Sequence, residues 1–348
     1  MKILRRGCCW GRGARVRGYD LQFEKLCGVL QLGDLRCEPK PLTGGLLHRM
    51  YALQTATGKY AVKALNPQVM LRPRAMSDIT NGERIAQVAA RVIPALPAKQ
   101  FDDRVIPEID GQYYLVYDWL EGKPLYNDNI SPINCEQIGA ILGKLHTIDF
   151  SSLKIEKPSA NAEELVGWDD YLCKGRLAGA PWVDELSRHL DSLHGWNQRY
   201  LAAMAYLESP LVIGHGDIDP KNVLWCGGQP IIIDWESAGY LNPAHELIVY
   251  AMYWADVKGK TNKEKLTAFF KGYVNCVALA QFDWPTVMDA GLCPRWLEYS
   301  LKRSLGLESA DDAERQMGTA HVFGTLRYLQ RYEGTIFEVV GWLREMGL

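Results

Sequence analysis

Five polar side chains crowd the stretch HGDIDPKN, residues 215–222, and a sixth, Asp234, closes the run PIIID. Asn222 lies five positions after Asp217, and Asp234 seventeen after it. The runs NVLW and PIIID flank CGGQ, so two short apolar strands joined by a hairpin would return Asp234 to the side of Asn222. Three oxygen-bearing side chains then share one small volume. Such a hard oxygen set suits Mg²⁺, which takes one or two carboxylates with substrate phosphate oxygens and keeps several waters. Transition metals would recruit His or Cys. Phosphoryl transfer further requires a carboxylate that orients the attacking hydroxyl and accepts its proton. Asp217 fits that task, with Asn222 and Asp234 as the metal ligands. Asp219 and Pro220 read as the N-cap and first residue of a turn. His215 braces the loop, and Lys221 receives no role.

A phosphate needs a cradle as well. In KPLTGGLLHRMYAL the pair Gly44 and Gly45 stands between apolar runs, where backbone amides can approach phosphate oxygens without a Cβ in the way. The strand YAVKAL then carries Lys63 on the face of Ala61. An inward ammonium needs a partner, because an unpaired buried charge is costly. Glu83, in the following helix, is the expected one. The order of Gly pair, strand Lys, helix Glu, HGD-x4-N and strand-end Asp reads as one constellation rather than five accidents.

The elements that must position these residues fall into two textures. Residues 20–118 hold the β-like runs GLLHRMYALQ, KYAVKAL and QYYLVYDWL, the first two joined by a TATGK turn, with one helix at SDITNGERIAQVAARVI. From Leu125 onward the chain turns to amphipathic segments, among them CEQIGAILGKLHTI, WVDELSRHLDSLHGWNQRYLAAMAYL, PAHELIVYAMYWA and RWLEYSLKRSL. The expected organisation is a basic, loosely held arm over 1–19, a small β-rich lobe over 20–118, a hinge at 119–124 and a large helical lobe over 125–348.

The composition agrees with a folded enzyme of a reducing compartment. The 348 residues are 47% apolar and carry a net charge of −2, so no whole-protein field would gather nucleic acid or an anionic membrane. Nine scattered cysteines form no CxxC pair, and the basic N-terminal run is followed by no apolar signal core. No stretch of about 18 apolar residues is present to span a membrane. Cytoplasmic residence is the expectation.

The motif HGDIDPKNVLW…PIIIDWESAGYLNPAHEL resembles the aminoglycoside phosphotransferase and choline kinase-like family of small-molecule kinases, and the resemblance runs from about Leu42 to Tyr253. It implies an α+β, protein-kinase-like bilobal fold, with a small antiparallel β-rich N-lobe carrying one helix and a large, mainly helical C-lobe. It implies ATP and Mg²⁺ as cofactors, Asp217 as catalytic base, Asn222 and Asp234 as metal ligands, Lys63 on the nucleotide phosphates and Glu83 as its ion-pair partner. Tyr117, Asp118, Trp119 and Leu120 correspond to the hinge that binds adenine. Protein kinases usually read H-R-D, a Lys two residues later, and D-F-G; here those positions hold Gly216, Asp219 and Trp235-Glu236, which points away from protein substrates. The family's second Asp after the metal ligand is Glu246 in this chain, which can still order the catalytic loop.

The resemblance thus implies transfer of the γ-phosphoryl of Mg-ATP to a hydroxyl of an aminoglycoside-like antibiotic or an amino alcohol. The aromatic and acidic segments ELVGWDDYL, YAMYWADV and RWLEYSLKRSL are candidate walls for a cationic acceptor. The competing reading is a nucleotide-binding pseudokinase acting as sensor or scaffold. Retention of both the base and the metal ligands separates the two.

Overall fold

The computed structural model describes residues 18–42, 48–158, 164–307 and 312–348. The basic arm therefore lies almost wholly outside the described residues. The chain divides into two compact units. The first combines Met1–Ile130, Ile141–Glu156 and Ile213–Gly239; the second combines Ser131–Ala140, Lys157–Val212 and Tyr240–Leu348.

Alternation builds the sheet of the first unit. Strands β1 (Lys40–Leu42), β2 (Arg49–Gln54), β3 (Lys59–Ala64), β4 (Glu108–Ile109) and β5 (Gln112–Asp118) run antiparallel in the order β1-β2-β3-β5-β4. Thr55 N–H donates to Gly58 O at 2.8 Å and closes the expected turn between β2 and β3. Successive side chains point to opposite faces, so Val62, Ala64, Tyr114 and Val116 pack in one cluster while Leu65, Leu115 and Tyr117 pack in another. Lys63 is in register with Leu115 and Ala61 with Tyr117, which puts the lysine on the second face.

Each face has its helix. Helix α1 (Phe23–Val29) brings Leu26 and Cys27 to the first cluster. A single-turn helix α2 (Pro67–Met70), capped by the Asn66 side chain, precedes α3 (Ala75–Ala89), whose Ile79 joins the second cluster. The sequence pattern showed α3 alone. Helix α1 has seven residues, two of them buried and adjacent, which is too little periodicity to read. Full burial of Leu26 alone contributes about 1.5–3 kcal/mol.

Strand β6 (Val212–Gly214) leads into the loop 215–222, and strands β7 (Val223–Cys226) and β8 (Gln229–Ile232) pair antiparallel through Gly227 and Gly228, both at positive φ. Val223 stands opposite Ile232, and Ile233 N–H donates to Asn222 O at 3.0 Å. The ladder therefore delivers Asp234 next to Asn222, as the spacing required.

In the second unit, α4 (Pro132–Thr147) begins at Pro132, followed by α5 (Trp168–Leu177), α6 (Val183–Arg188), α7 (Leu190–Tyr206), α8 (Pro243–Ala255), α9 (Lys263–Val274), α10 (Trp284–Asp289), α11 (Arg295–Ser304) and α12 (Asp312–Glu345). The long segment starting at Trp182 is broken at His189, which caps α6 and enters α7. Trp168, Trp182, Trp254, Phe269 and Phe270 are fully buried. Two tryptophans named above as acceptor walls, Trp168 and Trp254, thus belong to the core. Among the described residues, no helix is long and apolar enough to cross a membrane.

Candidate active site

Two neighbouring charged centres, both within the first unit, make up the site. The first is built on Lys63. Its Nζ lies 2.8 Å from Asp234 Oδ1 and 3.6 Å from Glu236 Oε2. Burial pulls the lysine's pKa down, but Asp234 and Glu236 together outweigh that pull and hold it above the ordinary lysine value. His48, buried, accepts the Asn66 N–H at Nδ1, at 2.9 Å. Its Nε2 therefore carries the proton of the neutral ring and faces Glu236 Oε2 at 3.3 Å. Glu236 is in this way held between a lysine and a histidine.

The expected Lys63–Glu83 ion pair is replaced by this arrangement. Glu83 Oε2 accepts the Ala98 N–H at 2.6 Å, and Oε1 accepts the Tyr117 hydroxyl at 2.8 Å. Burial raises the Glu83 pKa, against which the Ala98 amide, the Tyr117 hydroxyl and the charge of Lys63 act. The strand lysine finds the carboxylates that follow β8 because the hairpin brings Asp234 to it, a long-range contact that local spacing does not encode.

The second centre is the loop after β6. His215 Nδ1 accepts the Asp217 N–H at 3.1 Å, so Nε2 donates to Ile233 O, also at 3.1 Å. The ring meets the Trp235 ring edge-on, with centroids 4.6 Å apart. His215 thus ties the start of the loop to the strand end that carries Asp234, the bracing role assigned from the sequence. Gly216 has φ +73°, and a Cβ there would stand 2.5 Å from Ser237 O, so only glycine fits. Asn222 Nδ2 donates to Asp217 O at 2.8 Å, which ties the two ends of the loop together and leaves Asn222 Oδ1 as an acceptor. Burial raises the pKa of Asp217; Lys221, 3.5 Å from its Oδ1, opposes the rise.

Asp234 adopts φ +65° and ψ +63°, a left-handed conformation that costs a non-glycine residue about 1–2 kcal/mol. Backbone strain of this kind concentrates at functional sites. Helix α3 holds the turn beyond it, because Gly82 lies against Trp235: a Cβ on Gly82 would be 2.3 Å from Trp235 O.

The remaining expected residues are dispersed. Gly44 and Gly45 lie outside the described residues. Tyr117 and Asp118 are still in the sheet, paired with Ala61 and Tyr60. The Tyr117 side chain is committed to Glu83, and Asp118 accepts from Lys99 at 2.8 Å. Trp119 N–H returns to Lys59 O at 3.2 Å, so Leu120 is the first of the four residues past the sheet pairing. Glu246 is buried in the first turn of α8, in the second unit, where its charge acts on His245 and Tyr273. Sequence reasoning missed His48, Glu236 and Lys221. Glu236 alone carried a readable signal, as an acid two residues after the metal aspartate.

The donor set fits magnesium. Asn222 offers one free amide oxygen, and Asp234 a partly open carboxylate with one oxygen turned to Lys63. Two protein oxygens with phosphate and water completing the shell is how Mg²⁺ is usually bound.

The chain as a whole is similar to known proteins. The sequence model of the phosphotransferase enzyme family matches residues 38–283. The chain belongs to this family. The homoserine kinase of Chelativorans sp. (strain BNC1) is 27% identical over 262 residues, which are 73% of this chain and 76% of that protein. Among solved structures, spectinomycin phosphotransferase in complex with ADP and spectinomycin superposes with a TM-score of 0.63 at 12% identity, over 89% of this chain and 97% of that one. An amicoumacin kinase in complex with AMP-PNP, Ca²⁺ and its antibiotic gives 0.59 at 14% identity, over 89% and 94%. The fold is that of the protein-kinase-like phosphotransferases, and the chain is a phosphotransferase enzyme.

Proposed function

We propose that this phosphotransferase moves the γ-phosphoryl group of Mg-ATP to a hydroxyl of a small amino-bearing alcohol. The observation that carries the reading is the single hydrogen bond from Asn222 Nδ2 to Asp217 O, which ties the two ends of the loop together. In the reaction, Asp217 accepts the proton of the acceptor hydroxyl. The acceptor oxygen bonds to the γ-phosphorus as the bond from that phosphorus to the bridging oxygen breaks, and ADP leaves with the electron pair. Magnesium, held by Asn222 and Asp234, would neutralise phosphate charge. Lys63 binds the nucleotide phosphates once they draw it from Asp234 and Glu236. Leu120 and the residues after it supply backbone to the adenine.

The acceptor class rests on similarity: the relative above is a homoserine kinase, and the two structural neighbours are kinases of spectinomycin and of amicoumacin. Two acidic residues of the candidate acceptor walls are engaged in ion pairs. Glu298 pairs with Arg295 and Lys302 at 2.9 Å each, and Asp170 with Lys174 at 2.6 Å. Recognition of an ammonium group therefore needs other residues than these. The free cysteines of the described residues suit a reducing, cytoplasmic setting.

A coupled ADP-release assay over homoserine, choline, ethanolamine and aminoglycosides tests the reading. One acceptor should give turnover, and Asp217→Asn should lower kcat by about 10²–10⁴-fold while Mg-ATP still raises the melting temperature. Nucleotide binding with no turnover on any hydroxyl would overturn it in favour of a pseudokinase.

A further inference from the structure

The sequence left Lys221 without a task, and the family's motif does not define one at this position. The structure gives it a particular setting. Asp219 Oδ1 accepts the Lys221 N–H at 2.8 Å, and Asp219 Oδ2 takes the Lys221 ammonium. The same Nζ lies 3.5 Å from Asp217 Oδ1. One aspartate thus tethers both ends of the residue and aims its charge at the base. The lysine side chain is the most open of the trio, 33% exposed, against 6% for that of Asp217 and 10% for that of Asp219. A swinging surface lysine would not be held at both ends, and a purely internal counter-ion would not be the part left to solvent.

Distance supplies the rest. A general base stands about 3 Å from the hydroxyl it deprotonates, and that oxygen attacks from about 3–3.5 Å. The oxygens of the transferring phosphoryl group are therefore one atom beyond the Asp217 carboxylate, within the reach of an ammonium already beside it. Lys63 lies beside Asp234 and Glu236, on the nucleotide side of the site, whereas Lys221 stands beside Asp217, where a cation would meet the phosphoryl oxygens from the acceptor side.

We propose that Lys221 is a catalytic residue that contacts the transferring phosphoryl group, with Asp219 as the positioning residue that presents it. The ammonium keeps its three protons throughout. It donates hydrogen bonds to phosphoryl oxygens as the acceptor bond forms and the bond to ADP breaks, and the transferred proton goes to Asp217. This inference rests on the kinase reading above.

Calorimetric binding of Mg-ADP and of the Mg-bound β,γ-imido analogue of ATP to wild type and Lys221→Met reads the contact without turnover. The analogue should lose about tenfold in affinity in the variant, the usual weight of a hydrogen bond to a charged group, while ADP stays within about twofold. Where an acceptor is turned over, kcat should fall about 10²-fold with little change in KM for ATP, and Lys221→Arg should restore part of it. An unchanged ratio of the two affinities overturns the proposal and leaves Lys221 as a brace of the loop. If Lys221→Met does not fold, Asp219→Asn keeps the charge but frees the tether, and the ratio should then fall about threefold, the lower end of such effects; no change there likewise overturns it. Failure of wild type to bind either nucleotide is a separate result, which removes the kinase reading and the inference together.

Discussion

Lys63 and Lys221 each sit between two carboxylates, yet one is 9% exposed and the other 33%. The buried lysine is encircled by Asp234, Glu236 and the more distant charge of Glu83, and its position is overdetermined by the fold. The open lysine, four residues after Asp217, is held by its near neighbour Asp219, so a short segment builds it without help from the sheet. Equal inventories of charge thus serve different ends. Burial turns an ion pair into architecture, because removing one member strands the others in low dielectric. Exposure leaves the pair cheap to rearrange and free to meet a substrate.

The sharpest way to break this contrast is to delete both ammonium groups separately. Lys63→Met leaves Asp234 and Glu236 facing each other and should lower the unfolding free energy by about 3–5 kcal/mol in urea titration. Lys221→Met should cost less, about 1–3 kcal/mol, because the partner that leaves is partly exposed although Asp217 and Asp219 stay buried. Equal losses would show that exposure does not separate the two roles.

His245 sharpens the contrast by a third solution, in which a half-buried base stays neutral. Burial, opposed by Glu246, pushes its pKa down to about 4 from an ordinary 6.5. The folded state then refuses a proton that the unfolded state binds. The resulting stability is fully present above pH 6.5 and is lost as pH falls from about 6.5 to about 4, an effect of up to about 3 kcal/mol. Urea melts at pH 7.5 and pH 4.5 should show that loss in wild type and a smaller one in His245→Gln. At the weak end, Lys25 and Asp110 pair at 2.6 Å with both side chains about half exposed. Lys25→Ala should change stability by less than about 1 kcal/mol at 0.15 M salt, and a larger change would blur the buried-versus-open distinction from its other side.

What the sequence disclosed follows the range of the forces involved. Strands β2, β3 and β5 show themselves by alternation, and the β7–β8 hairpin by CGGQ between two apolar runs, so the meeting of Asp217, Asn222 and Asp234 could be inferred from spacing. The protein-kinase-like fold came from the same motif. Partners separated by long loops could not be read. Lys63 is 171 positions from Asp234, and the nearer Glu83 attracted the assignment although Ala98 and Tyr117 satisfy it. His48 gave no periodic or motif signal, since its value depends on Asn66 at one nitrogen and Glu236 at the other. The adenine segment Tyr117–Leu120 overlaps the end of β5, because QYYLVYDWL reads as one apolar run and sheet pairing continues through Asp118, just before the hinge expected at 119–124. Trp168 and Trp254 stand at helical spacing that already favours a core over a pocket wall, and their full burial agrees with the core.

The seat of Gly82 on the carbonyl of Trp235 has a consequence for how such a protein can diverge. Every missense change at that codon adds at least one carbon where a peptide oxygen already stands, so position 82 has no neutral neighbours in mutational space. The helix bearing Glu83 and the turn following Asp234 are therefore inherited as a single block, and new specificities in this lineage must be found elsewhere on the chain.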